Sequence, residues 1–166
     1  MDLFIFGTLL HVPLLEVVSG DAKVADRLTW AARSGYAVSR VEGQVFPMIH
    51  PVQDAIAEGV IVEGLEDAAL ARLDYYEKAF GYDRVEFVVL DGNDQPRNVT
   101  AYLPEEGRWT PAELWDRQKW IDTLGEITAM TAHEALAAMD YLGAPDMGRR
   151  YPAMMARAAS RYRAMK

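Results

Sequence analysis

Apolar residues between positions 66 and 80 recur at helical spacing: Leu70, Leu73 and Phe80 form one stripe, and Gly81 follows as a C-terminal cap. Glu77 falls on the same stripe, two turns after Leu70 and one turn after Leu73. Its carboxylate is therefore predicted to point inward. It also occupies the last helical turn, where the helix dipole disfavours negative charge. A residue that breaks two local rules is a candidate functional group, with a buried structural carboxylate as the plain alternative.

Elsewhere the period changes. Leu3-Phe4-Ile5-Phe6 is a short apolar run ending at Gly7-Thr8, which predicts a buried strand breaking into a tight loop. Residues 14 to 20 have weak helical character and stop at Gly20-Asp21. Leu28 to Ala32 predicts a strand before the Ser34-Gly35 turn. Short strands follow over 36 to 40, 43 to 48 and 57 to 62, separated by Glu42-Gly43 and by Pro51-Val52-Gln53-Asp54. After Gly81, Arg84 to Leu90 and Asn98 to Leu103 make a hairpin across Asp91-Gly92-Asn93-Asp94. From Trp109 onward the alternation disappears. Three helices are predicted there, opened by Thr110-Pro111-Ala112-Glu113, Thr131-Ala132-His133-Glu134 and Tyr151-Pro152, the first two as capping boxes, with Gly143-Ala144-Pro145 ending the middle one. The result is an α+β domain with one embedded helix and a C-terminal helical extension.

Composition narrows the function classes. The 166 residues, 51% of them hydrophobic, suit one sizeable core. With no cysteine, disulfides, thiolate catalysis and thiolate zinc sites are excluded. His11, His50 and His133 form no H-x-x-H or H-E-x-x-H pair, so no metal is expected. No window approaches the roughly 20 apolar residues of a membrane span, and the first residues lack a signal's basic region, so a cytoplasmic protein is expected. A net charge of −8 argues against nucleic acid as a partner. From Met147 to Lys166, however, there are six basic residues and no acidic ones. That segment reads as a helix docked on the acidic body or a solvated face, with a protein-partner surface as the sharper alternative.

Taken in order, the Phe6-Gly7-Thr8-Leu9 loop after its strand, Gly43-Gln44-Val45-Phe46-Pro47, the Gly59 to Leu65 stretch, Leu73-Asp74-Tyr75-Tyr76-Glu77 and Gly81-Tyr82-Asp83-Arg84 resemble the γ-glutamylcyclotransferase-like family. The resemblance spans residues 3 to 104. It implies a small mixed β-barrel with a ligand pocket at its mouth, here residues 1–108, with residues 109–166 as a helical extension packed on it. It also implies a reaction of glutathione-related metabolism, classed as a transferase or lyase. The α-amine of a γ-glutamyl group attacks its own side-chain carbonyl, releasing 5-oxoproline and an amine or amino acid, with no metal or organic cofactor. Residue by residue, Phe6, Gly7, Thr8 and Leu9 match the family's substrate-binding loop, Glu77 its general base and Tyr82 a position that faces the pocket. Phe6 departs from the family's usual tyrosine and lacks its hydroxyl.

The residue types suit that chemistry independently. An intramolecular cyclisation needs chiefly a bent substrate and a proton acceptor. A carboxylate at its solution pKa is a poor base for an ammonium group, but burial would raise Glu77 into a useful range and let it return the proton to the leaving amine. The Gly7-Thr8-Leu9 turn offers backbone N–H groups for a carboxylate, and Gly7 is either a turn glycine or one that admits a ligand to the main chain. Tyr82 is a ligand contact or a barrel tyrosine with a satisfied hydroxyl. Asp74 is expected to pair with Lys78, and Arg84 to be a structural ion-pair partner. Tyr75 is expected in packing or at the surface, Trp109, Trp115 and Trp120 as core anchors of the helical extension, and His50 and His11 as incidental, with pocket lining as the alternative for His11. A second functional reading keeps the pocket without the chemistry, as a ligand-sensing or protein-interaction module.

Overall fold

The computed structural model covers residues 1–166. Strand β1 (Leu3–Ile5) runs antiparallel to β3 (Pro47–Val62) and parallel to β5 (Pro96–Pro104). β5 pairs with β4 (Tyr82–Asp91), β4 with β2 (Leu28–Val41), and β2 returns to β3. Five strands therefore close into a mixed barrel. A short strand, β6 (Pro111–Leu114), is added to β2 at the edge. The apolar run at 3–6 is explained by burial on both faces. Phe4 and Phe6 join a cluster built from sheet residues such as Ile61, Phe87 and Val99, whereas Leu3 and Ile5 join the larger core between sheet and helices.

Helices α1 (Val12–Ser19) and α2 (Asp67–Lys78) lie on that core. The C-terminal third adds α3 (Arg117–Trp120), a π-helical turn over Ile121–Gly125, α4 (Glu126–Ala137) and α5 (Ala144–Ala164). α5 docks through Met147, Tyr151, Met154 and Ala158, all buried. Of its basic residues, Arg149 pairs with Asp146 and Arg157 with Glu134 of α4. No helix is long and apolar enough to cross a membrane.

Several predicted boundaries move. The segments at 28–32 and 36–40 are one strand, because Ser34-Gly35 makes a bulge instead of a turn. Likewise Pro51 to Asp54 does not end a strand. Ser34 faces Ile56 but Tyr36 faces Pro51, so β3 bulges there and continues. Strand 43–48 starts only at Pro47, after the 42–46 turn.

The largest correction is at Thr110-Pro111-Ala112-Glu113, which forms β6 and not a helix start. The open edge of β2 captures it: Glu42 N–H donates to Thr110 O at 2.8 Å and Trp115 N–H to Val38 O at 2.9 Å. Glu113, which a capping box would have used, pairs with Arg40 at 2.6 Å. The helix opens instead at Asp116, whose carboxylate accepts from Lys119 N–H at 3.0 Å. Thr131 sits inside α4, its hydroxyl donating back to Ile127 O at 2.7 Å. Gly143-Ala144-Pro145 opens α5 and does not close its predecessor, and Pro152 lies within that helix. Early in α5, Gly148 allows a tight approach. A Cβ there would lie 2.3 Å from Ala79 O, so glycine lets α5 touch the end of α2.

Candidate active site

Helix α2 buries Leu70, Leu73 and Tyr76 and carries Glu77 on the edge of the same face, just before the chain turns at Gly81 with φ +81°. Glu77 lines a cavity of about 80 Å³. It is half-buried, because one side opens on that cavity. Its carboxyl makes no hydrogen bond, and no ion pair involves it. Removal from bulk water, with no cation to compensate, pushes its pKa up to about 8.

Four tyrosines surround this carboxyl. Tyr82 donates its hydroxyl to Pro47 O at 2.9 Å, while its ring walls the cavity. Tyr102 donates to Asp74 Oδ1 at 2.9 Å. The hydroxyls of Tyr76 and Tyr151 meet at 2.8 Å. Burial first, and the charge of Glu77 with it, holds Tyr82 and Tyr102 above the ordinary phenol range, with the Asp74 carboxylate adding to the effect at Tyr102. Burial also pushes Tyr151 up to about 12, with Glu77 adding to it. All stay protonated at neutral pH. Since Tyr76 and Tyr151 share one hydrogen bond, one of their two protons has no acceptor in the protein.

Asp74 does not pair with Lys78. Arg84 reaches it from β4 instead, Nε to Oδ1 at 2.8 Å and Nη2 to Oδ2 at 3.0 Å. Arg84 is thus the structural ion-pair partner expected of it, and it holds the acceptor that orients Tyr102.

The loop after β1 supplies the opposite wall. Phe6, Gly7, Thr8 and Leu9 all line the cavity that Glu77 and Tyr82 line. Thr8–Leu10 is one 3₁₀ turn, closed by Leu10 N–H to Gly7 O and His11 N–H to Thr8 O. The N–H groups of Gly7, Thr8 and Leu9 find no acceptor in the protein, as the first donors of a helical turn do. They form a neutral donor cluster of the kind that receives a carboxylate. Gly7 is required for a further reason: a Cβ would lie 2.7 Å from Pro47 Cγ. Pro47 therefore clamps the loop on one side and Tyr82 on the other.

Sequence reasoning missed part of the wall. Thr128, Tyr151 and Met155 come from α4 and α5, and Trp120 from α3, all lining the same cavity. Trp120 is buried as expected of an anchor, but it also faces the site. Trp109 packs on Phe46 at 5.4 Å and donates to Phe80 O at 2.9 Å. Tyr75 is buried packing. His11 stands edge-on to Trp120, outside the cavity, and His50 bonds Ser39 Oγ at 2.9 Å. No group of three or more His, Asp or Glu side chains is placed to hold a metal ion.

The chain is similar to known proteins in sequence and in fold. AIG2-like protein C of Arabidopsis thaliana is 28% identical over 121 residues, covering 72% of this chain and 68% of the relative. Protein AIG2 B of the same plant is 24% identical over 125 residues, covering 72% and 69%. A solution structure from Arabidopsis thaliana superimposes with a TM-score of 0.57 at 23% identity, over 84% of each chain. A solved γ-glutamyl cyclotransferase gives a TM-score of 0.57 at 13% identity, over 92% of this chain and 86% of that one, a likeness of fold alone. The family model "Gamma-glutamyl cyclotransferase, AIG2-like" matches residues 3–121, from β1 through the loop, the glutamate helix and β6. This chain, with its closed mixed barrel and its carboxyl-bearing cavity, belongs to the γ-glutamyl cyclotransferase, AIG2-like family.

Proposed function

We propose that the protein is an enzyme that cyclises a γ-glutamyl amine or amino acid to 5-oxoproline. The observation that supports this reading most is the pairing, in one cavity, of an unpartnered carboxyl at Glu77 with three unpartnered N–H groups at Gly7, Thr8 and Leu9. The N–H groups suit the substrate's α-carboxylate, whose negative charge would otherwise be desolvated next to Glu77. Held there, the glutamyl chain bends so that its α-amine approaches its γ-carbonyl. Glu77 accepts a proton from the attacking amine; the new N–C bond closes the five-membered ring; the old C–N bond breaks as Glu77 returns the proton to the departing nitrogen. A carboxyl near 8 suits this exchange better than one at its ordinary value, because its proton affinity lies closer to that of an amine. The lining is largely apolar, which disfavours water beside the reacting groups.

The test is release of 5-oxoproline from a panel of γ-glutamyl compounds. Glu77→Gln keeps the shape and removes the base, with an expected loss of about 10²- to 10⁴-fold in kcat/KM. Unchanged turnover in that variant would remove Glu77 from the mechanism. Binding without turnover across the panel would favour the ligand-sensing module.

A further inference from the structure

Tyr76 and Tyr151 share a single hydrogen bond, hydroxyl to hydroxyl at 2.8 Å, and both line the cavity that Glu77 lines. Both residues are buried, and neither oxygen has another partner in the protein. One of the two O–H groups is therefore left over. A buried O–H without an acceptor is costly, so the spare proton turns to the open volume beside it, the cavity. Glu77 does not take it, since that carboxyl makes no hydrogen bond and burial alone sets its proton affinity. The shared bond raises the pKa of Tyr76 and lowers that of Tyr151, as donation from Tyr76 to Tyr151 does, which leaves the spare proton on Tyr151. Tyr151 belongs to α5, beyond residues 3–121 that the family model matches.

Ring closure creates a need for such a donor. When the amine nitrogen bonds to the γ-carbonyl carbon, the carbonyl π pair moves to oxygen and leaves it anionic until the old C–N bond breaks. No Lys, Arg or His lines the cavity, and the N–H groups of Gly7, Thr8 and Leu9 are engaged by the α-carboxylate in the proposed complex. Glu77 holds the transferred proton at that stage and is committed to the departing nitrogen. Two hydroxyls with a proton to give remain on the wall, those of Tyr151 and of Thr128, whose Oγ1 is buried without a hydrogen bond. A hydroxyl that accepts a hydrogen bond is polarised into a better donor, and only Tyr151 has that support. Burial pushes its pKa up to about 12, so it donates without giving up its proton.

Resting on the reading that the cavity cyclises a γ-glutamyl group, we infer that Tyr151 is a further catalytic residue: its hydroxyl, backed by Tyr76, hydrogen-bonds the oxyanion that the γ-carbonyl oxygen becomes. The ring of Tyr151 is part of the wall, whereas its O–H acts as charge develops, so the contribution falls on kcat.

Tyr151→Phe keeps the ring and removes the donor. In 5-oxoproline release from a γ-glutamyl substrate, kcat is expected to fall about 10²-fold with KM little changed. Tyr76→Phe, which removes only the polarisation, should cost less than Tyr151→Phe. An unchanged kcat in Tyr151→Phe, a rise in KM alone, or a larger kcat loss in Tyr76→Phe or Thr128→Val overturns the assignment. A second measurement needs no turnover. The γ-phosphonate analogue of glutamate places anionic tetrahedral oxygens where the γ-carbonyl oxygen would sit, whereas glutamine offers a neutral planar amide there. By tryptophan fluorescence, Tyr151→Phe should weaken binding of the phosphonate ~10-fold and leave that of glutamine unchanged. Equal loss for both ligands, no loss, or no binding of the phosphonate to the wild type overturns the inference. If the phosphonate result holds but no γ-glutamyl compound yields 5-oxoproline, the donor assignment to Tyr151 stands and the cyclisation reading falls.

Discussion

Ionising Glu77 costs the folded protein more than the unfolded chain, because the fold offers that carboxylate neither water on all sides nor a cation. Between its ordinary value of 4.5 and about 8, the native state holds a proton that the unfolded state has released. Stability from this residue is therefore complete below the unfolded value, falls as pH rises through the window, and is level above it. Glu77→Gln removes the slope. Urea denaturation at pH 5.5, 7 and 9 should show the variant gaining on the wild type as pH rises, and parallel curves would contradict the assigned shift. If Glu77 is the base, the acidic limb of kcat/KM lies near 8, whereas that of kcat lies lower, since a bound ammonium favours the carboxylate. The inward direction of Glu77 was legible from Leu70 and Leu73, because helical spacing alone sets it. Its lack of a partner was not, since a partner can come from anywhere in the chain. Asp74 makes the same point in reverse: spacing offered Lys78, and the fold supplied Arg84 and Tyr102.

Among the elements, local signals succeeded where no other segment competed for the same backbone groups. α1 ends at Gly20 in the left-handed region, α2 carries Leu70, Leu73 and Glu77 of its predicted stripe and leaves Phe80 to the turn after it, and the 84–103 hairpin turns at the Asp91 carboxylate, which accepts from Asn93 and Gln95 N–H. The Thr110 capping box failed because β2 presented an unpaired edge, and a strand there satisfies backbone groups on both sides. α5 extends its predicted start backward across Pro152, since its apolar face has a core to cover. Gly148 tests how closely that helix must sit. Gly to Ala inside a helix ordinarily stabilises by up to about 1 kcal/mol. Here the added Cβ meets Ala79 O, so Gly148→Ala is expected to destabilise by about 1–3 kcal/mol and to raise KM by displacing Tyr151 from the cavity wall. Chemical denaturation and steady-state kinetics check both, and a stabilised variant with unchanged KM would show that α5 has room to spare.

At the scale of the molecule, one core runs from β1 through α1 and α2 into α4 and α5. Removing residues 143–166 would expose the surface under Met147, Tyr151 and Met154, each worth about 1.5–3 kcal/mol when fully buried. Against a typical stability of about 5–15 kcal/mol, the truncated chain is expected to lose cooperative unfolding by calorimetry. A sharp transition at the wild-type temperature would show the barrel to be self-sufficient. The sequence alone determined which face of α2 is apolar, that a strand breaks into a loop at Gly7, and that no cysteine is present for thiol chemistry. These follow from spacing and composition, which need no knowledge of distant neighbours. Tertiary structure alone decided that Pro47 clamps both Gly7 and Tyr82, that β2 captures residues 111–114 as a strand, and that Tyr151 completes the wall beside Glu77. Each of those depends on which surfaces meet when the barrel closes, and closure joins residues that no local period connects.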